Sequence, residues 1–312
     1  MNCEICFSSS TKLVGLEESY YDYEAKIFGC NNCGNRFSPI NESIYESLHS
    51  VSGSYGFHKR QAKKIKYLFD KKNYLEIYKV LEKVDRNKVL LEILSNLPKS
   101  SRVLEIGCSN GYIGALCLSK ELNYQGIDIS KTAIDLANKL FGKNFYTSLS
   151  EAPFEKYDFI FHMGTIGCVK NPIEFNKSLI SKLKKGGKFF FNYPSLDFLE
   201  DTNSLWFFST TAPDLNIAYK HGFWSQILKS KDIRIKEWTI PDKNKIKILS
   251  KFFNPILFRS DFFLKKKLKF HLRMIRFLLK IFIKFVRISI KLFYKESSVK
   301  SEFNNFILIS KK

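Results

Sequence analysis

Apolar and polar positions fall into three rhythms along the chain. From Val103 to Gly114, VLEIGCSNGYIG, an apolar strand runs into a glycine-rich turn and a helix start, and a second strand ends on an acid in Gly126 to Ser130, GIDIS. From Ser54 to Leu97, Tyr67, Leu68, Tyr74, Leu75, Ile77 and Tyr78 are interspersed with lysines without an internal proline, which predicts helix. Pro98, Ser100 and Ser101 then end the helical stretch before the first strand of the glycine unit. The third rhythm lies late in the chain, where Lys269, Arg273, Arg276, Lys280, Lys284, Arg287, Lys291 and Lys295 step by three or four through mostly apolar residues. That spacing predicts an amphipathic helix from Phe262 to Lys295, about 50 Å long, with its cations along one face.

The glycine turn carries the first chemistry. Gly107 and Gly111 let the backbone turn tightly beneath a ligand, and Asp128 follows about 20 residues on, where a ribose is bound in such folds. By spacing this is a nucleoside-cofactor site, although a loop that only needs small residues has the same pattern.

Glu105, Gly107 and Gly111 match E-x-G-x-x-x-G, and the stretch resembles motif I of the class I S-adenosylmethionine-dependent methyltransferases. Gly126 to Ser130 resembles their motif II. The resemblance implies that the loop at Gly107, Cys108 and Gly111 passes under the methionine part of the cofactor, that Glu105 holds its polar end, and that Asp128, followed by Ile129, takes the ribose hydroxyls. Near Thr147 to Leu149 relatives often place an Asp for the adenine amino group; here Ser148 stands as the weaker counterpart. Tyr157 to Pro172 resembles the fourth strand and the segment after it, but Gly167 and Cys168 replace the Glu-His of many relatives, so no base or metal carries over there. Leu183 to Ser195 resembles the helix end, Gly-Gly turn and fifth strand. Asn192-Tyr193-Pro194 is not the Asn-Pro-Pro-Tyr motif of amino-group methyltransferases, which follows the fourth strand. The likeness spans Leu91 to Trp238, with a last strand at Asn305 to Ser310 closing the sheet.

Seven cysteines form two populations. Cys3, Cys6, Cys30 and Cys33 make two C-x2-C knuckles, a spacing that places four thiolates at the corners of a tetrahedron and predicts a structural zinc site. Gly34 suits the second knuckle turn, and the gap containing Tyr20, Tyr21, Tyr23 and Phe28 reads as a hairpin. Cys108 is expected to face the cofactor loop and Cys117 to pack within the first helix of the domain. A zinc ribbon followed by this domain is similar to methyltransferases of bacterial surface-polysaccharide and deoxysugar pathways, a likeness that Phe37-Ser38-Pro39 continues.

The implied fold is α/β: a doubly wound, Rossmann-like, seven-stranded sheet with an N-terminal zinc ribbon and a long basic amphipathic helical insertion before the last strand. The expected division is a zinc-ribbon segment at 1–45, a helical linker and cofactor cover at 46–100, a core at 101–250, the basic insertion at 251–300 and the final strand at 301–312.

Charge is concentrated with the grease. The 312-residue chain has a net charge of +21. Between Lys251 and Lys300, fourteen Lys and Arg face two acids. No 18-residue window of the 262–295 segment is free of charge, so it is expected to lie in the plane of an anionic membrane surface rather than to span it. Packing on the protein's own core or a dimer partner, contact with RNA, and a helical hairpin in place of one rod stay open. Met1 to Ser10 lacks the basic start and apolar core of a signal peptide, so the protein is expected in the cytoplasm, with the basic segment holding it peripherally at the inner membrane face.

Together these readings point to methyl transfer from S-adenosylmethionine to a sugar nucleotide or lipid-linked glycan. An RNA methyltransferase that uses the basic helix as a phosphate clamp, and a catalytically silent scaffold, are the rivals. A hydroxyl acceptor calls for a base, and His162, Tyr193 and His221 are the candidates. Trp206 and Trp224 are candidates to stack on a sugar ring.

Overall fold

A computed structural model describes residues 1–18, 24–40, 54–207, 212, 214–240, 303 and 305–312. The segment 262–295, predicted as a basic helix, lies outside the described residues, as do Tyr20, Tyr21 and Tyr23.

The N-terminal strands β1 (Thr11–Glu18), β2 (Glu24–Cys30) and β3 (Arg36–Phe37) are followed by three helices, α1 (Ser54–Asp70), α2 (Tyr74–Leu81) and α3 (Lys88–Ser95). Lys72 breaks the first from the second with a φ of 51°, and Asn73 caps α2 by accepting a hydrogen bond from the Glu76 amide. The core then alternates as β4 (Arg102–Ile106), α4 (Tyr112–Ser119), β5 (Asn123–Ile127), α5 (Lys131–Phe141), β6 (Phe145–Tyr146), β7 (Tyr157–His162), α6 (Pro172–Ser181) and β8 (Leu183–Tyr193). After it come α7 (Leu196–Asp201), β9 (Ile217–Ala218), α8 (Phe223–Ile227), β10 (Ile233–Thr239) and β11 (Asn305–Lys311).

Seven strands form one mixed sheet in the order β10-β11-β8-β7-β4-β5-β6, with β4 to β8 mutually parallel and β11 antiparallel to both its neighbours. The central strands read as near-continuous apolar runs because both faces are covered. Val103, Phe159, Phe161 and Phe190 pack with α1 to α4 on one face, and Leu104, Ile160, Phe189 and Phe191 pack on the other with α6, α8 and the N-terminal knuckles. The last strand completes the sheet from within, entering between β8 and β10 and not at the edge. Side chains on both its faces are apolar and Phe306, Ile307 and Ile309 are fully buried, so it needs cover on each side. The lysine-bearing β10 takes the edge instead.

A second sheet joins the knuckles to the core. Its order is β1-β2-β3-β9, so a two-residue strand from beyond β8 completes the N-terminal sheet. Here the departure at Gly167 and Cys168 acquires a physical reason. The Gly167 carbonyl accepts hydrogen bonds from the Asn216 and Ile217 amides at 2.8 and 3.0 Å, and Cys168 Sγ donates to the Asp214 carbonyl at 2.7 Å. A Cβ at Gly167 would overlap Leu215 and meet Pro194 at 2.9 Å. The segment that holds catalytic residues in many relatives is therefore the seat of the strap that carries β9.

Gly167→Val should lower stability by about 1–3 kcal/mol through overpacking at this seat, read as a lower urea midpoint. An unchanged midpoint would mean that β9 is not held there.

Candidate functional site

The glycine turn between β4 and α4 is built on left-handed backbone: Gly107 has a φ of +76°, Ser109 of 50° and Gly111 of +72°. The Gly107 and Cys108 amides both donate to the Ile127 carbonyl, at 2.7 and 3.0 Å, which ties the turn to the end of β5. A side chain at Gly107 would overlap Thr165 Oγ1, and that hydroxyl donates to the Ile106 carbonyl at 3.2 Å. The loop after β7 is thus packed directly onto the glycine turn.

Asp128 lies at the rim, in the crevice outside the carboxyl ends of the parallel strands, where ligands sit in such sheets. Its Oδ2 accepts the Ser109 amide at 2.8 Å and its Oδ1 accepts the Ser130 amide at 2.9 Å, so the carboxylate is aimed by backbone from both sides. Beside it Ile129 is 65% exposed, an apolar residue next to an acid. Ser109 Oγ is buried and has no hydrogen-bond partner among the described residues. Sequence reasoning missed this hydroxyl, although its place inside the glycine turn was a signal. Ser148 Oγ lies 2.9 Å from Ser150 Oγ, in the turn where Glu151 accepts from Thr147.

Two expectations for this loop are corrected. Glu105 is not open to a ligand: it is buried under the turn, where Tyr124 donates to its Oε2 at 2.5 Å. Burial pushes its carboxyl up to about 8, against the Tyr124 hydrogen bond and with the Asp128 charge adding to the rise. Cys108 likewise turns its thiol into the core, toward Gly126, because the strand-end register aims it at the helical layer. Cys117 packs in α4 as expected.

At the N-terminus the sulfur atoms of Cys3, Cys6, Cys30 and Cys33 all lie within 4.8 Å of one another. Cys3 and Cys33 are 3.8 Å apart, and Cys6 and Cys30 are 3.6 Å apart. Four sulfurs around an ion at 2.3 Å in a tetrahedron would be separated by about 3.8 Å, so the donor set fits a closed thiolate site. Each knuckle ends in a left-handed residue, Phe7 at 60° and Gly34 at 72°, and the Ile5 amide donates to Cys3 Sγ. Cys3 and Cys33 lie within hydrogen-bond reach of each other, a contact that holds the Cys3 thiol down to about 5 and pushes its partner up.

The three candidate bases separate clearly. His162 does not reach the crevice; alternation along β7 aims it into the α6 face, fully buried among Phe175, Phe189 and Phe191, with Nε2 3.1 Å from Asn176 Oδ1. Tyr193 is also fully buried, and its hydroxyl donates to Glu237 Oε1 at 2.5 Å. Burial, with the Glu237 carboxylate adding to it, holds that phenol protonated well above its usual range, which removes it as a base. His221 keeps half of its side chain exposed and turns Nδ1 toward the Tyr193 hydroxyl at 3.4 Å. Trp206 and Trp224 are core residues, with at most 1% of their surface exposed, so neither presents a ring to a sugar.

The sequence profile of a family described as a methyltransferase domain matches residues 75–255, more than half of the chain. No curated protein matches the chain in sequence. Among solved structures it is similar to Haemonchus contortus phosphoethanolamine N-methyltransferase 2 in complex with S-adenosyl-L-methionine, at 17% identity over 73% of this chain and 52% of that one, with a TM-score of 0.44. It is also similar to a SAM-dependent methyltransferase from Archaeoglobus fulgidus, at 16% identity over 73% of this chain and 92% of that one, with a TM-score of 0.45. The chain spans about half the length of the Haemonchus contortus enzyme.

Burial of His162 carries a stability consequence. Desolvation lowers its value from 6.5 to about 4, so the unfolded chain binds the extra proton between those limits. Its contribution is complete above about pH 6.5 and is lost as pH falls toward 4. The unfolding free energy of the wild type should drop by about 2 kcal/mol more than that of His162→Phe between pH 7 and pH 5. Equal drops in urea titrations of the two proteins would contradict this.

Proposed function

The chain belongs to the methyltransferase-domain family over residues 75–255, and from that premise we propose that it transfers the methyl group of S-adenosylmethionine to a sugar, nucleotide-linked or lipid-linked, in surface-glycan assembly. The observation that carries the cofactor assignment is Asp128, a rim carboxylate aimed by the Ser109 and Ser130 amides above a left-handed glycine turn. Its carboxylate fits the ribose hydroxyls, the exposed Ile129 offers an apolar wall to the adenine, and the unpartnered Ser109 hydroxyl and the turn at Gly107 fit the polar methionine end. S-adenosylmethionine supplies, when bound, an electrophilic methyl group on a sulfonium.

This chain's residues then have two tasks. The turn and Asp128 hold the donor in line with the acceptor, since positioning carries much of such a transfer. A weakly acidic hydroxyl also needs somewhere to send its proton, and His221 is the base in this reading because it is the exposed member of the three candidates. The sugar assignment draws support from the four-cysteine ribbon ahead of the domain and from the exposed imidazole of His221.

Cys3, Cys6, Cys30 and Cys33 hold a structural zinc in this reading, supported by their sulfur spacing. Among the described residues no helix is long and apolar enough to cross a membrane. The composition of 262–295 supports peripheral attachment to an anionic surface.

Asp128→Ala should weaken S-adenosylhomocysteine binding by ~10- to 100-fold in calorimetry, the loss expected for a charged hydrogen-bonding group. Unchanged affinity would remove the cofactor assignment, and no binding by the intact wild type would favour the scaffold. Labelled methyl transfer into a native cell extract, fractionated into sugars, glycolipids, RNA and protein, tests the acceptor; label confined to RNA would overturn the sugar reading. Metal analysis should give about one zinc per chain in wild type and loss of it in Cys30→Ser.

A further inference from the structure

Glu237 is an acid on the inward face of a strand. On β10 it shares that face with Ile233 and Ile235, which pack into the core beneath it. Only 6% of its side chain is exposed, yet its oxygens are richly supplied. Oε1 accepts from the Tyr193 hydroxyl at 2.5 Å and from the Gly222 amide at 3.1 Å, Oε2 accepts from the Ser225 hydroxyl, and Oε1 lies 3.8 Å from His221 Nδ1. A buried carboxylate with this many donors is held in one place. Through Tyr193 and directly, it reaches one exposed ring, that of His221.

The direction of each proton follows from the set. The Tyr193 hydroxyl gives its single hydrogen to Glu237, so the face it turns to His221 Nδ1, 3.4 Å away, is an oxygen lone pair. A neutral His221 then gains only by carrying its proton on Nδ1, toward that oxygen and the carboxylate behind it. The tautomer leaves Nε2 bare. The backbone fixes the ring's root as well, because the His221 amide donates to Asp197 Oδ1 at 3.3 Å on α7.

We propose that Glu237 is the positioning residue of this enzyme: through Tyr193 it fixes His221 as the Nδ1–H tautomer and leaves Nε2 to take the proton of an acceptor hydroxyl. The step balances simply. The acceptor oxygen forms its bond to the methyl carbon as the O–H proton passes to Nε2, the carbon–sulfur bond breaks, and its electron pair stays on sulfur, leaving a neutral thioether. The positive charge that arrives on the imidazole is stabilised by the Glu237 carboxylate, the logic by which a buried acid orients and supports a histidine base. This inference rests on the reading above that the acceptor is a hydroxyl.

The test begins with the unsubstituted full chain. Nitrogen-15 NMR of the imidazoles, with His221 assigned by the signal missing in His221→Asn, should show Nδ1 protonated and Nε2 bare at pH 8; a predominantly Nε2–H form overturns the proposal without any variant at Glu237. In Glu237→Ala the freed Tyr193 hydroxyl can donate to Nδ1, so the ring should switch to Nε2–H and labelled methyl transfer into the native extract should fall at least tenfold. Glu237→Gln, which keeps the shape and an acceptor for the phenol, should retain the Nδ1–H form while losing several-fold in transfer with the charge. Affinity for S-adenosylhomocysteine should stay within about twofold in both variants. Full transfer by either variant overturns the proposal, whereas absent cofactor binding in the wild type would instead sink the methyltransferase reading beneath it.

Discussion

Two hydrogen bonds onto the Gly167 carbonyl hold the N-terminal knuckles and the glycine turn in one structure. From that carbonyl, Asn216 and Ile217 lead into β9, which completes the knuckle sheet, while Ser38 donates to the Asn216 carbonyl at 2.7 Å and Lys220 donates to Asn35 Oδ1 at 2.8 Å. In the other direction Cys168 donates to the Thr165 carbonyl at 3.0 Å, and Thr165 fills the space that a side chain on Gly107 would occupy. An unbroken set of short polar contacts therefore runs from two residues beyond Cys33 to the loop that would lie beneath a cofactor. A glycine at 167 is required because the strap passes closer than any side chain permits.

The two acids that the sequence presents in similar fashion end in different surroundings. Asp128 at the rim accepts two backbone amides in place of water. Glu105, two residues before the first left-handed glycine but aimed inward, loses its hydration and is held toward the neutral acid with Tyr124 as its donor. A strand reverses its side chains at every step, so the difference between meeting a ligand and supporting a loop is one position of register. Glu237 repeats the lesson on β10, where an inward-facing acid is tolerated because four partners surround it.

What was legible in the sequence was what local backbone chemistry dictates. The left-handed conformations at Gly107 and Gly111 need glycine, an acid follows at the end of the next strand, and the paired C-x2-C knuckles need no long-range information. Choice of face was not legible: β7 and β8 are apolar on both sides, so nothing in YDFIFH says that His162 points into the α6 layer. Nor does any local pattern mark β9, a strand of two residues defined wholly by what it pairs with. The insertion of β11 between β8 and β10 and the convergence of Tyr193, His221 and Glu237 are likewise long-range events, the last drawing residues from three separate elements.

These long-range elements share one geometric cause. The sheet turns antiparallel beyond β8, and among the described residues the chain returns first as the strap that is seated on Gly167 and carries β9 and then as α8 leading into β10. The first return brings the knuckle sheet onto the core; the second brings His221 over Tyr193 with Glu237 beneath both. Because Tyr219 is held in the first return, accepting Leu196 and donating its hydroxyl to the Ile166 carbonyl at 2.8 Å, and His221 follows it by two residues, the position of the exposed imidazole is set by the same strap that anchors the knuckles. A metal held by the four sulfurs, as proposed, would stabilise the backbone from which His221 projects, and its influence would reach that ring through packing alone.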